Sequence, residues 1–590
     1  MIQPPIQPQV LAPPPPPPRS MVRVCNFLFY LAFLIVEGVF IGTFCLMKYP
    51  EIIYGDIDSN SYTKWVQSAT NYDRPFTNGW STYSEYYDFH PVSSPEEIRA
   101  YTRSGWTSTP GYIYFGVWPE LHTYGSFQYH LENNWYILSD VTVWVLVGYG
   151  FLISYLRFHR WMSLGMTFFI IALTVQAYVL FSSFWYCAWW INYTQRIYID
   201  LRDIISGLKC SVAVLITYGA LAGKVDIFEI LNIILLETGL YALNEWIVLQ
   251  SIMMKDIGGA TYIHVFGAFY GLGATWIYSP KSNCYQNPNN RASYGSNTLT
   301  FLGTFFLWIY FPAFNCFNQI EMYRFHYMTN ENGTLGATNF YHSLFNLRMI
   351  SLINTMWALT ASVACAFFLS MILNNGKFIA EHILNATLAG GVMIANCAHL
   401  YSFPYPSLII GAWAGLWSVA AFQIFPRCFA ACNIFDTRGV MFLHGIPGIW
   451  GNIASAITCA TLANWSLFVG GGDTDGLVIS GKFAFSPIKQ QDIHTMNMFV
   501  YYRDYSRQAG FQIIGLIITI GIAFCGGLLQ GVVLRFWRCY NVPEDTFGDH
   551  CFYKMIQEDA LRGINEKPIE PIVSSINPPF LQPIMQPPIQ

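Results

Sequence analysis

The sequence predicts an all-α polytopic membrane protein with about twelve transmembrane helices, and three observations carry that reading. Only 11% of the 590 residues are charged, against 53% hydrophobic and 17% aromatic, where a soluble domain carries about 25% charged residues. The apolar residues fall in runs of roughly twenty, the length that crosses a hydrocarbon layer of about 30 Å. Lysine and arginine gather in alternate connecting segments, as the positive-inside rule requires of a multi-pass chain. A net charge of −4 also excludes the basic footprint that nucleic-acid binding needs.

The spans follow in order. The first, 25–47, comes after Arg19 and Arg23; it is too long and too aromatic for a signal-peptide core and is read as a retained helix. An outer loop, 48–137, leads to the spans 138–157 and 162–189, which are joined through the inner Arg157 and Arg160. Arg196 and Arg202 precede 203–222, Lys224 precedes 227–250, and Lys255 precedes 259–279. Lys281 and Arg291 lie before 298–318, and Arg324 before 346–373. Lys377 separates that span from 380–400, which is followed by 405–425. Arg427 and Arg438 lead into 440–462, and a second long outer loop, 463–510, into 511–537, after which come Arg535 and Arg538. With the N-terminus inside, the inner segments hold most of the basic residues, which places both termini on the inner face.

This divides the chain into a Pro-rich tail (1–24), an extra helix (25–47), a Tyr- and Trp-rich outer loop (48–137), a membrane domain (138–538) and a second Pro-rich tail (539–590). Proline runs favour extended polyproline II and bury no core; a disordered or surface-strapping tail and a docking ligand both remain open. Outer loops of this length are expected to fold as a cap or to meet a partner. Neither loop contains any of the fourteen cysteines, so the outer face has no disulfide framework. Candidate glycosylation sequons at Asn192, Asn332 and Asn464 all fall on that face. They point to a plasma membrane or endomembrane, while the cysteine-free loops leave an organelle membrane, such as the mitochondrial inner membrane, open.

Ionisable side chains inside a membrane span are costly and mark function. His264 and His444 sit well inside apolar spans, and their surroundings repeat. Residues 256–264 read Asp-Ile-Gly-Gly-Ala-Thr-Tyr-Ile-His and 436–444 read Asp-Thr-Arg-Gly-Val-Met-Phe-Leu-His. Both follow Asp-x-x-Gly-x-x-x-x-His, and by the span order they start on opposite sides of the membrane. That is the mark of an inverted repeat with a site at the midplane. Asp256 and Asp436 are each placed to cap a helix by accepting backbone N–H groups. Two neutral imidazoles joined edge to edge would give a polar rail through an apolar pore, one that favours small neutral species and passes an ion only after removing its proton.

These residues resemble the Rhesus-type branch of the ammonium transporter family. The resemblance runs from about Asp140 to Arg538 and is strongest at Tyr218–Val225, Asn244-Glu245, Asp256–Gly271, Phe314-Asn315, Asn385–Val392 and Leu443–Gly448. It implies inverted five-helix repeats behind an extra N-terminal helix, and a homotrimer with one twin-histidine pore per subunit. His264 and His444 match the pore pair, Asp256 the aspartate that supports ammonium recognition, and Asp436 its counterpart in the second repeat. Glu245 matches an outer vestibule acid, Phe314 one of two stacked gate phenylalanines, and Asn315 its neighbour in the same motif. The implied substrate is ammonia or ammonium, with other small neutral molecules such as carbon dioxide or methylamine.

The sequence departs from that pattern where the second gate phenylalanine belongs, at Lys209. Asn297 and Ile379 likewise stand where acidic residues occur in the branch, although Glu381 is close. A charged Lys209 would plug the mouth as a tethered ammonium; a neutral one could pass protons. A one-turn slip would instead put Leu208 or Cys210 in the pore and send Lys209 to the surface. Two functions are therefore expected: an ammonia or ammonium channel, or a transport-deficient relative serving as a structural subunit of a larger membrane complex. No phosphate-binding loop, Cys-x-x-Cys pair or nucleophile motif suggests an enzyme, and nothing calls for a cofactor or a metal.

Overall fold

The computed structural model describes residues 19–44, 136–190, 199, 201–252, 254–278, 289–316, 337–401, 403–462, 505–536, 547–549 and 552–553. The outer loops expected at 48–137 and 463–510 fall almost wholly outside them, as do the sequons at Asn192, Asn332 and Asn464, residues 1–18 of the first Pro-rich tail and nearly all of the second.

Among the described residues the secondary structure is helical. In chain order the helices are α1 (Arg19–Phe44), α2 (Tyr136–Ile153), α3 (Arg160–Trp190), α4 (Leu201–Leu221) and α5 (Ile227–Glu245). Then come α6 (Phe266–Tyr278), α7 (Tyr294–Cys316), α8 (Ala337–Leu373) and the short pair α9 (Ala380–Ala386) and α10 (Ala389–Ile394). The chain ends with α11 (Pro404–Ala431), α12 (Ile446–Leu462) and α13 (Tyr505–Phe536). Eight of these segments are long and apolar enough to cross a membrane: those at α2, α3, α4, α5, α7, α8, α11 and α13. The other four expected spans fall on elements with a different build. α1 has a shorter apolar stretch, Tyr30–Phe44. The 380–400 interval breaks into α9 and α10, and α6 and α12 are each preceded by a π-helical turn, Ala260–Val265 and Met441–Gly445.

The membrane reading explains which faces are buried. α4 is enclosed over most of its length, whereas α8 leaves Phe368, Ile372 and Leu373 exposed, as a helix facing lipid does. Without water, such helices gain little from hydrophobic burial against each other, so close packing and internal hydrogen bonds hold the bundle. α6 packs along α13 and against α4, while α12 also packs on α13.

A polar brace ties these elements together within the membrane. Gln512 of α13 accepts from the Lys255 amide at 2.8 Å and donates to the Lys255 carbonyl at 2.7 Å and to Ser455 Oγ at 2.9 Å. Asn396 and Asn452 both donate to Thr261 Oγ1, at 3.0 and 2.9 Å. A buried polar group left unpaired costs about 1–3 kcal/mol, so this network fixes the register of the segments that lead into the site.

On the inner face the C-terminal segment returns to the bundle. Asp549 accepts the Trp161 and Met162 amides, at 2.9 and 2.6 Å, and so caps α3 from far along the chain. Phe547 is buried beside Gly223 in the turn after α4.

Candidate functional site

Two capped turns, one ahead of α6 and one ahead of α12, build the site with the same local device. Asp256 accepts backbone N–H groups from Ala260, Thr261 and Tyr262 at 2.8, 2.6 and 3.2 Å. Gly259 then takes φ +78°, a conformation costly for a residue with a Cβ, and the chain winds into the π turn that carries His264. Ahead of α12, Asp436 accepts from Met441 at 3.0 Å, Gly439 takes φ +66°, and a π turn carries His444. Such turns offset a helix face by one residue and recur at functional sites. The two turns meet closely because Gly448 faces the Ala260 carbonyl, where a Cβ would stand only 2.6 Å from the oxygen.

His264 and His444 come together at the crossing. Their Nδ1 atoms are 3.2 Å apart, the ring planes differ by 11° and the centroids lie 5.1 Å apart. One Nδ1 must donate and the other accept, so the two rings hold opposite tautomers. The pair therefore keeps one N–H and one lone pair on its outer Nε2 atoms, and exchanging the tautomers reverses their order. His264 is wholly buried and its Nε2 has no hydrogen-bond partner.

Aromatic rings line both sides of the pair. Tyr149 of α2 lies parallel to His444 at 6.0 Å. Phe311 and Phe314 of α7 lie 6.1 and 6.0 Å from His264. Phe314 stacks on Trp144 of α2 with centroids 4.0 Å apart and planes 18° apart, and the Trp144 Nε1–H donates to the Leu307 carbonyl at 3.0 Å.

Lys209 is buried, with its amino nitrogen 5.2 Å from the Phe314 ring centre. The slipped register that would have sent it to the surface is thereby overturned: the side chain points into the bundle, where the ring face offers the ammonium a favourable contact. It also lies within electrostatic reach of Asp256 and His264. Glu245 is buried at the end of α5 and accepts from Tyr178 Oη at 2.7 Å. Asn315 donates to Thr355 Oγ1 and the Gly391 carbonyl, at 3.2 and 3.0 Å, tying α7 to α8 and α10.

Nothing in the sequence singles out Trp144 or Tyr149, because an aromatic residue in an aromatic-rich span carries no spacing signal. Arg438 reads there only as an inner-face charge. It is in fact buried, stacked on Tyr155 with its guanidinium carbon 4.3 Å from the ring centre and bonded to the Leu152 carbonyl at 2.7 Å. Its place inside the repeated Asp-x-x-Gly motif, where the first copy has Gly258, was the available clue.

Comparison with known proteins finds relatives along most of the chain. Residues 127–550 match the model of the Ammonium Transporter Family. The chain is 31% identical over 453 residues to the rabbit (Oryctolagus cuniculus) protein named Ammonium transporter Rh type C, covering 75% of this chain and 86% of that one. It is also 31% identical over 444 residues to Ammonium transporter Rh type B of Danio rerio, covering 74% and 86%. The fold matches the solved structure of Nitrosomonas europaea Rh50 with a TM-score of 0.55 at 21% identity, covering 74% of this chain and 96% of that one.

Proposed function

This chain belongs to the Ammonium Transporter Family, in its Rhesus-type branch, and from that premise we propose that it conducts ammonia across a membrane through a pore lined by His264 and His444. The observation that carries the proposal is the 3.2 Å contact between the two Nδ1 atoms within an aromatic, water-poor enclosure. An ammonium ion would give up its proton before passing the pair, because a full charge at that depth costs several kcal/mol. Ammonia could then accept from one imidazole and donate to the other. Phe314 and Trp144 close the outer side, with Lys209 in place of the second aromatic gate residue. The same reading takes twelve spans in inverted five-helix repeats, a homotrimer with one pore per subunit, and a plasma membrane or endomembrane location. Asp256 and Asp436 hold the turns that carry the two histidines, and Glu245 stands at the outer vestibule.

A second reading is favoured by one observation: a buried lysine amino group already occupies the ring face that would greet an incoming cation. On that reading conduction is lost and the protein is a structural subunit of a larger assembly, docking through its outer loops and Pro-rich tails. Ammonia flux into proteoliposomes separates the two. Flux that collapses in His264→Ala and His444→Ala supports the pore. Absence of flux in both the native protein and Lys209→Phe supports the structural subunit.

A further inference from the structure

Resting on the twin-histidine pore, we infer that Arg438 is a specificity-determining residue at the inner mouth, paired with Lys209 at the outer one. The two place a fixed positive charge on each side of the histidines, so that the pore admits uncharged solutes and turns ammonium away from both faces.

Two helices act as rulers for this placement. On α2, Trp144 stacks on Phe314, Tyr149 lies against His444, and Leu152, with Tyr155 of the turn that follows, holds the Arg438 guanidinium. On α4, Lys209 reaches Phe314, and Gly219 lies against the Arg438 side chain, its built Cβ 3.8 Å from the arginine Cβ. At 1.5 Å per residue, the ten residues of α4 from 209 to 219 separate Lys209 from the Arg438 contact by about 15 Å. α2 gives the order, with His444 against Tyr149 between the Phe314 stack at Trp144 and the arginine at Leu152.

The chemistry follows from which carboxylates remain to receive a mobile cation. On the outer side Asp256 spends its oxygens on three backbone N–H groups and has Lys209 within electrostatic reach. On the inner side Glu381 and Asp436 lie within electrostatic reach of Arg438, and Asp436 also caps the turn that carries His444. Asp256, Glu381 and Asp436 thus each have a built-in cation, Asp436 in Lys224 as well as in Arg438. An ammonium ion arriving from either face meets like charge in a region of low dielectric, where repulsion is strong. A neutral solute feels none of this and still finds hydrogen-bonding partners: Tyr149 Oη, His264 Nε2 and one guanidinium nitrogen of Arg438 are buried without any. Arginine suits this role because it keeps its charge when buried.

The test uses the full-length protein in proteoliposomes, with two readouts on the same vesicles. Internal alkalinisation after an ammonium chloride jump reports influx of neutral ammonia, and current on a solid-supported membrane reports charge movement. The native protein should alkalinise the lumen without ammonium current. The double variant Lys209→Phe with Arg438→Met should gain ammonium current of roughly tenfold or more over native, and Arg438→Lys should remain without current. Size-exclusion profiles and thermal unfolding check that each variant is folded; where Arg438→Met is not, Arg438→Gln replaces it. Native ammonium current would overturn the inference and leave the pore standing, as would a folded double variant that alkalinises but carries no current. Absence of alkalinisation in native protein, unchanged in His264→Ala, would remove the pore reading and this inference with it.

Discussion

The amino nitrogen of Lys209 lies 5.2 Å from the centre of the Phe314 ring, and the same ring is stacked at 4.0 Å on Trp144. Phe314 therefore serves as a platform shared by a cation and an indole. A desolvated cation–π contact contributes about 2 kcal/mol, enough to hold the lysine over the ring.

Replacing the lysine separates charge from shape. Lys209→Phe is expected to raise ammonia flux by clearing the long side chain from the Phe314 face, and Lys209→Met to raise it less, because methionine removes the charge but keeps much of the length and restores no aromatic lid. Initial rates of luminal alkalinisation measure both. Equal flux in native protein and both variants would show that Lys209 does not limit uptake.

Trp144 is expected to matter through two separable contacts. Trp144→Phe keeps a ring against Phe314 but leaves the Leu307 carbonyl without its donor, a loss of about 1 kcal/mol. Trp144→Leu also loses the stack, worth roughly 0.5–1.5 kcal/mol more. Thermal unfolding in detergent should rank native, Trp144→Phe and Trp144→Leu in that order. Identical midpoints would place the indole outside the packed core.

The family resemblance implies a recognition role for Asp256, yet its oxygens are engaged by three backbone amides. Asp256→Ala should destabilise the protein by about 1–2 kcal/mol, the cost of losing such a cap. Asp256→Asn, which keeps one acceptor oxygen, should recover much of that stability. A pure recognition role would instead abolish flux in both variants with no shift in the unfolding midpoint.

Much of the architecture was legible in the sequence because a membrane enforces it: apolar run length gives the eight long apolar helices, and Asp-x-x-Gly-x-x-x-x-His marks both histidine turns. The repeat could be read because helix capping, positive φ and midspan histidine each demand a particular residue. What escaped was lateral. Nothing in the spacing of Trp144 reveals that it stacks on Phe314, which lies on another helix far along the chain. Arg438 read as an inner-face charge because sequence alone does not show that Tyr155 and the Leu152 carbonyl enclose it. Nor does the Phe314-Asn315 pair show that the Asn315 amide joins Thr355 and the Gly391 carbonyl.

The inner face supplies a prediction about pH. His159, in the turn between α2 and α3, is wholly buried; its Nδ1 lies 3.2 Å from Ser163 Oγ, and its Nε2 has no partner. The returning C-terminal segment covers it: Phe552 stands edge-on at 6.5 Å, and the Asp549 amide donates to the Phe158 carbonyl at 2.6 Å. Burial lowers the imidazole from 6.5 to about 4, partly opposed by a hydrogen bond to its own backbone. The neutral form is thus favoured while the segment is docked. Docking is fully supported above pH 6.5 and weakens as pH falls from there towards 4, by up to about 1.4 kcal/mol per pH unit. Asp549 works the other way, since burial raises its carboxyl above 3.8 and docking then favours its protonated form. That contribution opposes the histidine's, so a loss of docking on acidification is the histidine's. Hydrogen exchange of the Trp161 and Met162 amides, which Asp549 holds, reports docking directly. Their protection, corrected for intrinsic exchange, should fall between pH 7 and 5.5 in the native protein and not in His159→Gln; an equal fall in both would remove His159 as its source.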